Sequence, residues 1–216
     1  MPESTTTPSA DRPIRLGYPS SPQTALDLLA AAGLGEDQAV LAPYDLTDPF
    51  STLRSGEFDV LVVKFGPREE DLATSEVLDW ESRALVVSAS HPLADRESVS
   101  VEEVAAYDAF ERPGAFPEYL WDEIVPRRTP QGREIHRRHR VNTIAEMMAL
   151  VVSTDAVHLS VVSLADMAPP VVRVIPVPDL PPTPVCLAWY RGAELPPQVA
   201  KFIAAVEAAS SAAREG

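Results

Sequence analysis

The chain has 216 residues, of which 45% are hydrophobic and 23% are charged, and this balance is typical of a folded globular protein. Its formal net charge of −14 repels the phosphates of DNA and RNA, so we expect no nucleic-acid partner. No apolar run approaches the roughly 20 residues of a membrane helix, and the single cysteine, Cys186, excludes an internal disulfide and favours a cytoplasmic location.

The first half of the chain predicts a parallel α/β unit. Residues 1–12 are polar and rich in Ser, Thr and Pro, which predicts a disordered N-terminus. Hydrophobic patterning then predicts, in chain order, a strand at 14–18, a helix at 24–30, a strand at 39–42, a short helix at 48–55 and a strand at 58–63. Ser21 is a suitable N-cap for the first helix, with Pro22 at its first helical position. Strands and helices that alternate in this way build a parallel sheet.

The second half predicts another α/β unit. Its predicted strands lie at 84–87, 107–111, 135–141, 157–161, 171–177 and 185–190. Its predicted helices lie at 99–106, 118–124, 143–152 and 197–213. We expect Asn142 to cap the helix at 143–152. The proline-rich stretch 176–184 cannot form a helix and predicts an extended connector.

Four short motifs occur in an order that is familiar from one protein family. The segment His91-Pro92-Leu93-Ala94 follows an apolar strand, and Leu53, Gly56 and Asp59 form an L-x-x-G-x-x-D pattern. The helix end at 149–153 and a final crossover that begins at 177–179 complete the set. Together these motifs resemble the effector-binding domain of LysR-type transcriptional regulators over most of residues 13–208. No helix-turn-helix pattern precedes the first strand in this sequence, so the resemblance predicts a sensor domain without the DNA-binding module.

The resemblance implies an α/β fold of the type 2 periplasmic-binding-protein class. Two α/β lobes are then joined by two crossover strands, with residues 13–84 plus 185–216 in lobe I and residues 85–184 in lobe II. A small molecule would lie in the cleft between the lobes. The family also implies a homodimer, and the expected contact faces in this chain are the helices around 24–32 and 143–152.

The candidate ligand-binding residues follow strands or begin helices, where open α/β sheets bind their ligands. They are Ser20, Ser21, Thr47, Lys64, Phe65, Arg112, Pro113, Asn142 and Thr143. The resemblance implies that positions such as Ser21, Thr47 and Asn142 face the effector. The sequence holds no motif for a metal, a cofactor or a catalytic triad. We therefore predict no metal and no cofactor, and we identify no catalytic residue.

Six arginines crowd into a short segment and allow two interpretations. They are Arg127, Arg128, Arg133, Arg137, Arg138 and Arg140. They could pair with acidic side chains on a solvated surface. They could instead form a patch that attracts anions near the cleft or a dimer seam.

The leading functional hypothesis is a cytoplasmic protein that binds a small molecule, an anionic or polar organic metabolite. One alternative is a biosynthetic enzyme of specialised metabolism that was recruited from this fold and acts on a pathway intermediate in the cleft. Another alternative is an interaction protein that modulates full-length regulators. We expect no membrane partner for any of these.

Overall fold

A computed structural model describes residues 12–215. The predicted disordered N-terminus, except Arg12, lies outside the described residues. The described strands are β1 (Ile14–Tyr18), β2 (Ala39–Pro43), β3 (Val60–Lys64), β4 (Leu72–Thr74), β5 (Asp79–Glu81), β6 (Arg83–Ser88), β7 (Asp108–Phe110), β8 (His136–His139), β9 (His158–Val161), β10 (Val172–Pro176) and β11 (Thr183–Tyr190). The described α-helices are α1 (Gln23–Ala31), α2 (Ser51–Arg54), α3 (Val101–Val104), α4 (Glu118–Ile124), α5 (Ile144–Ser153) and α6 (Pro197–Glu215).

The larger sheet contains the first and the last strand of the described chain. Its strand order is β2-β1-β3-β11-β4, and β5 pairs with another part of β11. Strand β1 runs parallel to β2 and β3, whereas β11 is antiparallel to β3. Neighbouring residues of β3 enter different hydrophobic clusters, because side chains along a strand alternate between its two faces. Val60 and Val62 pack with α1 and α6, while Leu61 and Val63 join the cluster that extends into the second unit.

The second unit is built around β6. Strand β6 pairs antiparallel with β10 and with β9, and β7 pairs parallel with β8 through an irregularity between Ala109 and Phe110. The chain leaves the larger sheet at Ser82 and returns through residues 177–182. The lobe boundaries at 84/85 and 184/185 stay a prediction; β6 begins at Arg83 and β11 at Thr183.

The structure contains two strands that the sequence did not predict. Strands β4 and β5 have three residues each and lack a clear apolar alternation. Both are held by hydrogen bonds to β11, which lies more than a hundred residues away in sequence. Pairing with a distant strand therefore produces them, and local propensity does not reveal them.

Both predicted helix caps are displaced by one residue. Pro22 is the N-cap of α1, although the Ser21 hydroxyl does accept a hydrogen bond from the N–H of Gln23 at 3.1 Å. The prediction that Asn142 caps α5 is wrong, because Thr143 is the N-cap. The Thr143 hydroxyl accepts from the N–H of Glu146 at 3.1 Å, and the Glu146 carboxylate accepts from the N–H of Thr143 at 3.3 Å. This reciprocal capping box satisfies two donors, and a cap at Asn142 could not form it, because the residue three positions later is Ala145.

No helix within residues 12–215 is both long enough and apolar enough to cross a membrane.

Candidate functional site: a cavity between the two units

A cavity of about 140 Å³ lies where the two units meet. The segments just after β1, β2 and β3 contribute Ser20, Tyr44 and Phe65 to its wall. From the opposite side, the segments that follow β7 and β8 contribute Glu111 and Val141. The cavity thus faces the carboxyl ends of parallel strands from both units, which is where open α/β sheets place their ligand sites.

Six of the predicted ligand-binding residues line this cavity. They are Ser20, Lys64, Phe65, Pro113, Asn142 and Thr143. They come from four separate parts of the chain, and the tertiary structure brings them to opposite sides of one cavity. This position is compatible with ligand contact, which stays a prediction for each of them.

The other three predicted residues lie outside the lining. Ser21 is buried beside the start of α1, and its hydroxyl contacts the backbone of Gln23. The Thr47 hydroxyl donates to the Asp45 carboxylate at 2.8 Å. The Arg112 guanidinium donates to the carbonyl of Phe116 at 2.7 Å. These polar groups are occupied by local partners, so the geometry gives no support to their predicted contact with a ligand.

The ammonium group of Lys64 is already paired with a carboxylate. Its Nζ lies 2.7 Å from the Glu81 carboxylate and donates to the hydroxyl of Ser163 at 2.6 Å. The Lys64 and Glu81 side chains are only 7% and 10% exposed. The backbone N–H of Ser163 donates to the same carboxylate at 2.8 Å. A buried charge pair with these additional hydrogen bonds leaves no free cation at this wall of the cavity.

Phe65 is held in an unusual backbone conformation. Its φ of 66° lies in the left-handed region, which a bulky side chain rarely adopts. Its N–H donates to the hydroxyl of Thr183 at 2.7 Å, and the Arg83 guanidinium lies 4.9 Å from the centre of its ring. These contacts fix the ring against the cavity, and such strained residues concentrate at functional sites.

Arg83 supports this wall from behind. Its guanidinium donates to the backbone carbonyls of Ser160, Glu123 and Ile124. Burial lowers its pKa to about 10, so the group is charged at neutral pH. Arg83 does not belong to the cavity lining.

His158, Phe110, Phe116 and Trp121 line the cavity but were not among the predicted ligand-binding residues. The His158 ring stacks on Trp121, with ring centres 5.9 Å apart, and meets the ring of Phe110 edge-on at 5.5 Å. Burial, with a smaller effect from the charge of Arg83, lowers the pKa of His158 to about 4. Among the described residues, its buried Nδ1 has no hydrogen-bond partner. The position of His158 in an apolar strand was the only signal in the sequence.

The arginine-rich segment pairs largely with neighbouring acids. Arg127 and Arg137 contact Asp122, and Arg138 contacts Asp108. Arg140 contacts Glu111 at the edge of the cavity. This geometry supports the interpretation as a solvated, ion-paired surface, and it does not support an anion-attracting patch.

The LysR substrate binding domain is the family whose sequence model matches residues 14–211. The chain belongs to this family. A comparison with curated proteins finds no significant match.

Solved structures of LysR-type regulators share the fold of this LysR substrate-binding domain. CbnR, a LysR family transcriptional regulator, is 18% identical, with a TM-score of 0.71 over 91% of this chain and 69% of that one. The reduced OxyR regulatory domain from Pseudomonas aeruginosa is 18% identical, with a TM-score of 0.63 over 92% and 96% of the two chains. The effector-binding domain of QuiR in complex with shikimate is 17% identical, with a TM-score of 0.67 over the same shares. These likenesses establish the predicted type 2 periplasmic-binding-protein-like fold.

Proposed function

We propose that this LysR substrate-binding domain binds a small organic molecule in the cavity between its two units. One observation carries the proposal: the cavity lies at the carboxyl ends of parallel strands from both units, and its wall contains Phe65, in its strained backbone conformation, and the aromatic rings of Trp121 and His158. The family and the QuiR–shikimate likeness support the same conclusion.

A screen of diverse small organic compounds tests this proposal. A compound that binds only the folded chain raises its melting temperature, and the stabilisation grows with the logarithm of the ratio of ligand concentration to Kd. We expect Trp121→Leu to weaken binding of such a compound at least tenfold, because the Trp121 ring forms part of the cavity wall. Trp80→Leu is the matched control, since the Trp80 ring is 57% exposed on β5. Equal affinities of the two variants would place the ligand elsewhere.

The enzyme hypothesis gains no support from the described residues. Cys186 is buried, and burial raises the pKa of its thiol, which is the opposite of what a nucleophilic cysteine needs. The modulation of full-length regulators stays a hypothesis without a structural observation of its own.

We also propose that the domain is cytoplasmic and forms a homodimer through the faces of α1 and α5 with their neighbouring strands. Val40 on β2 and Val152 on α5 are 54% and 39% exposed. Within residues 12–215, β2 pairs only with β1, so one of its edges is open. Apolar side chains beside an open edge are typical of surfaces that a second chain covers.

A further inference from the structure

We infer that the cavity selects an uncharged monocyclic aromatic compound that carries one hydrogen-bonding group. This inference refines the proposed function and rests on it. The cavity volume of about 140 Å³ is close to the roughly 150 Å³ of apolar cavities that accommodate benzene. A single ring with a small substituent therefore fits this volume.

The aromatic walls favour a flat ring. Phe65, Phe110, Phe116 and Trp121 line the cavity, and the rings of Phe116 and Trp121 meet edge-on with centres 5.8 Å apart. Aromatic rings attract one another in stacked and edge-on arrangements beyond the contribution of area alone. The aromatic ring of a ligand in this cavity can stack on these side chains or meet them edge-on.

The charges around the cavity disfavour a carboxylate. The ammonium of Lys64 is taken by Glu81, and the carboxylate of Glu111 is taken by Arg140. The start of α5, where a helix would favour an anion, is occupied by the Glu146 carboxylate, which accepts from the N–H of Asn142 at 2.8 Å. A carboxylate ligand would lose its hydration without gaining a free cation from the cavity lining, because Arg112 lies outside the lining and donates to the carbonyl of Phe116.

Arg83 does not supply a free cation for a carboxylate either. Its three guanidinium nitrogens donate to backbone carbonyls, and it lies behind the ring of Phe65, outside the lining. His158 is neutral at pH 7 and offers one donor and one acceptor nitrogen. An amide or a hydroxyl group on the ligand can pair with an accessible nitrogen of this cavity-lining ring, and the inference therefore requires a hydrogen-bonding group on the ligand's ring.

Three compounds of matched size test the inference on the wild-type chain. Benzamide and benzoate have the same shape and differ in charge, while cyclohexanecarboxamide keeps the amide and lacks the aromatic ring. We expect titrations followed by nuclear magnetic resonance to show benzamide binding at least tenfold more tightly than the other two. Equal or tighter binding of benzoate or of cyclohexanecarboxamide would overturn the inference and leave the proposed function intact. If neither these three nor any screened compound binds, both fail.

Glu81→Gln gives the sharper test, because it releases the charge of Lys64 at the cavity wall. We expect the ratio of benzoate to benzamide affinity to rise at least tenfold in this variant. Asp71→Asn is the control, since Asp71 pairs with Arg54 on an exposed surface and loses the same charge. An unchanged ratio in a folded Glu81→Gln variant would overturn the inference.

A second variant covers the case in which the unpaired Lys64 prevents folding. His158→Phe keeps a ring in the wall and removes the hydrogen-bonding nitrogens. We expect benzamide to bind it about tenfold more weakly, whereas toluene, which has no hydrogen-bonding group, should bind at least as well as to the wild type. An equal loss for both compounds, or no loss for benzamide, would contradict the role of His158.

Discussion

The side chain of His158 links the cavity to the pH dependence of stability. Its pKa is lowered to about 4 by burial and by the charge of Arg83, whereas an exposed histidine titrates near pH ~6.5. Between these pH values the unfolded chain binds a proton that the folded chain excludes. Stability therefore decreases as the pH falls through this window.

We expect His158 alone to lower the free energy of unfolding by up to about 3 kcal/mol between pH ~6.5 and pH ~4. His158→Gln should flatten this part of the stability profile. His139→Gln is the control, because the His139 ring packs against the same Phe110 ring but is partly exposed. Denaturant titrations at intervals across this range measure the slopes, and an unchanged slope in His158→Gln would contradict the lowered pKa.

At the scale of elements, the loop after β7 closes one side of the cavity against the loop after β2. The N–H of Ala115 donates to the carbonyl of Thr47 at 2.6 Å. Gly114 has a φ of 45°, and a Cβ at this position would lie 2.6 Å from the Cβ of Thr47 and 3.0 Å from its carbonyl oxygen. Only glycine permits the two loops to lie this close, because the carbonyl oxygen of Thr47 belongs to the backbone and cannot move away alone.

Gly114→Ala should consequently destabilise the protein more than Gly132→Ala. Gly132 also has a positive φ, of 84°, but a Cβ there would meet nothing within 4 Å. Both variants suffer backbone strain, and only the first also suffers the contact with Thr47. We expect an additional loss of about 1–3 kcal/mol in urea denaturation, as is typical of overpacking. Similar losses in the two variants would show that the loops separate easily.

At the scale of the whole molecule, the open edge of β2 and the exposed end of α5 predict a dimer. We expect analytical ultracentrifugation at tens of micromolar to give the mass of two chains. Val40→Asp and Val152→Asp should shift the mass towards one chain, because each buries a charge in the proposed contact. Val171→Asp is the control, since Val171 is 52% exposed and lies outside both faces. A wild-type mass of one chain would refute the dimer.

The sequence by itself determined the elements whose signals are local. The buried run of β3, the length of α4 and the amphipathic α6 all follow from periodicity, which acts over a few residues. The order of motifs such as His91-Pro92-Leu93-Ala94 also predicted the family and thus the two-unit fold. The cap of α5 could have been found as well, because Thr143 and Glu146 have the spacing of a capping box.

The tertiary structure alone decided the chemistry of the cavity. The sequence predicts that Lys64 binds a ligand, yet the Glu81 carboxylate pairs with its ammonium group and the hydroxyl of Ser163, 99 residues away, accepts its hydrogen bond. Strands β4 and β5 likewise exist only through pairing with β11, and the strain of Phe65 depends on contacts from Thr183 and Arg83. Periodicity reports which face of an element is buried, but it carries no information about which distant polar group that face will meet. Charge balance and hydrogen-bond satisfaction in a buried site are set by those distant partners.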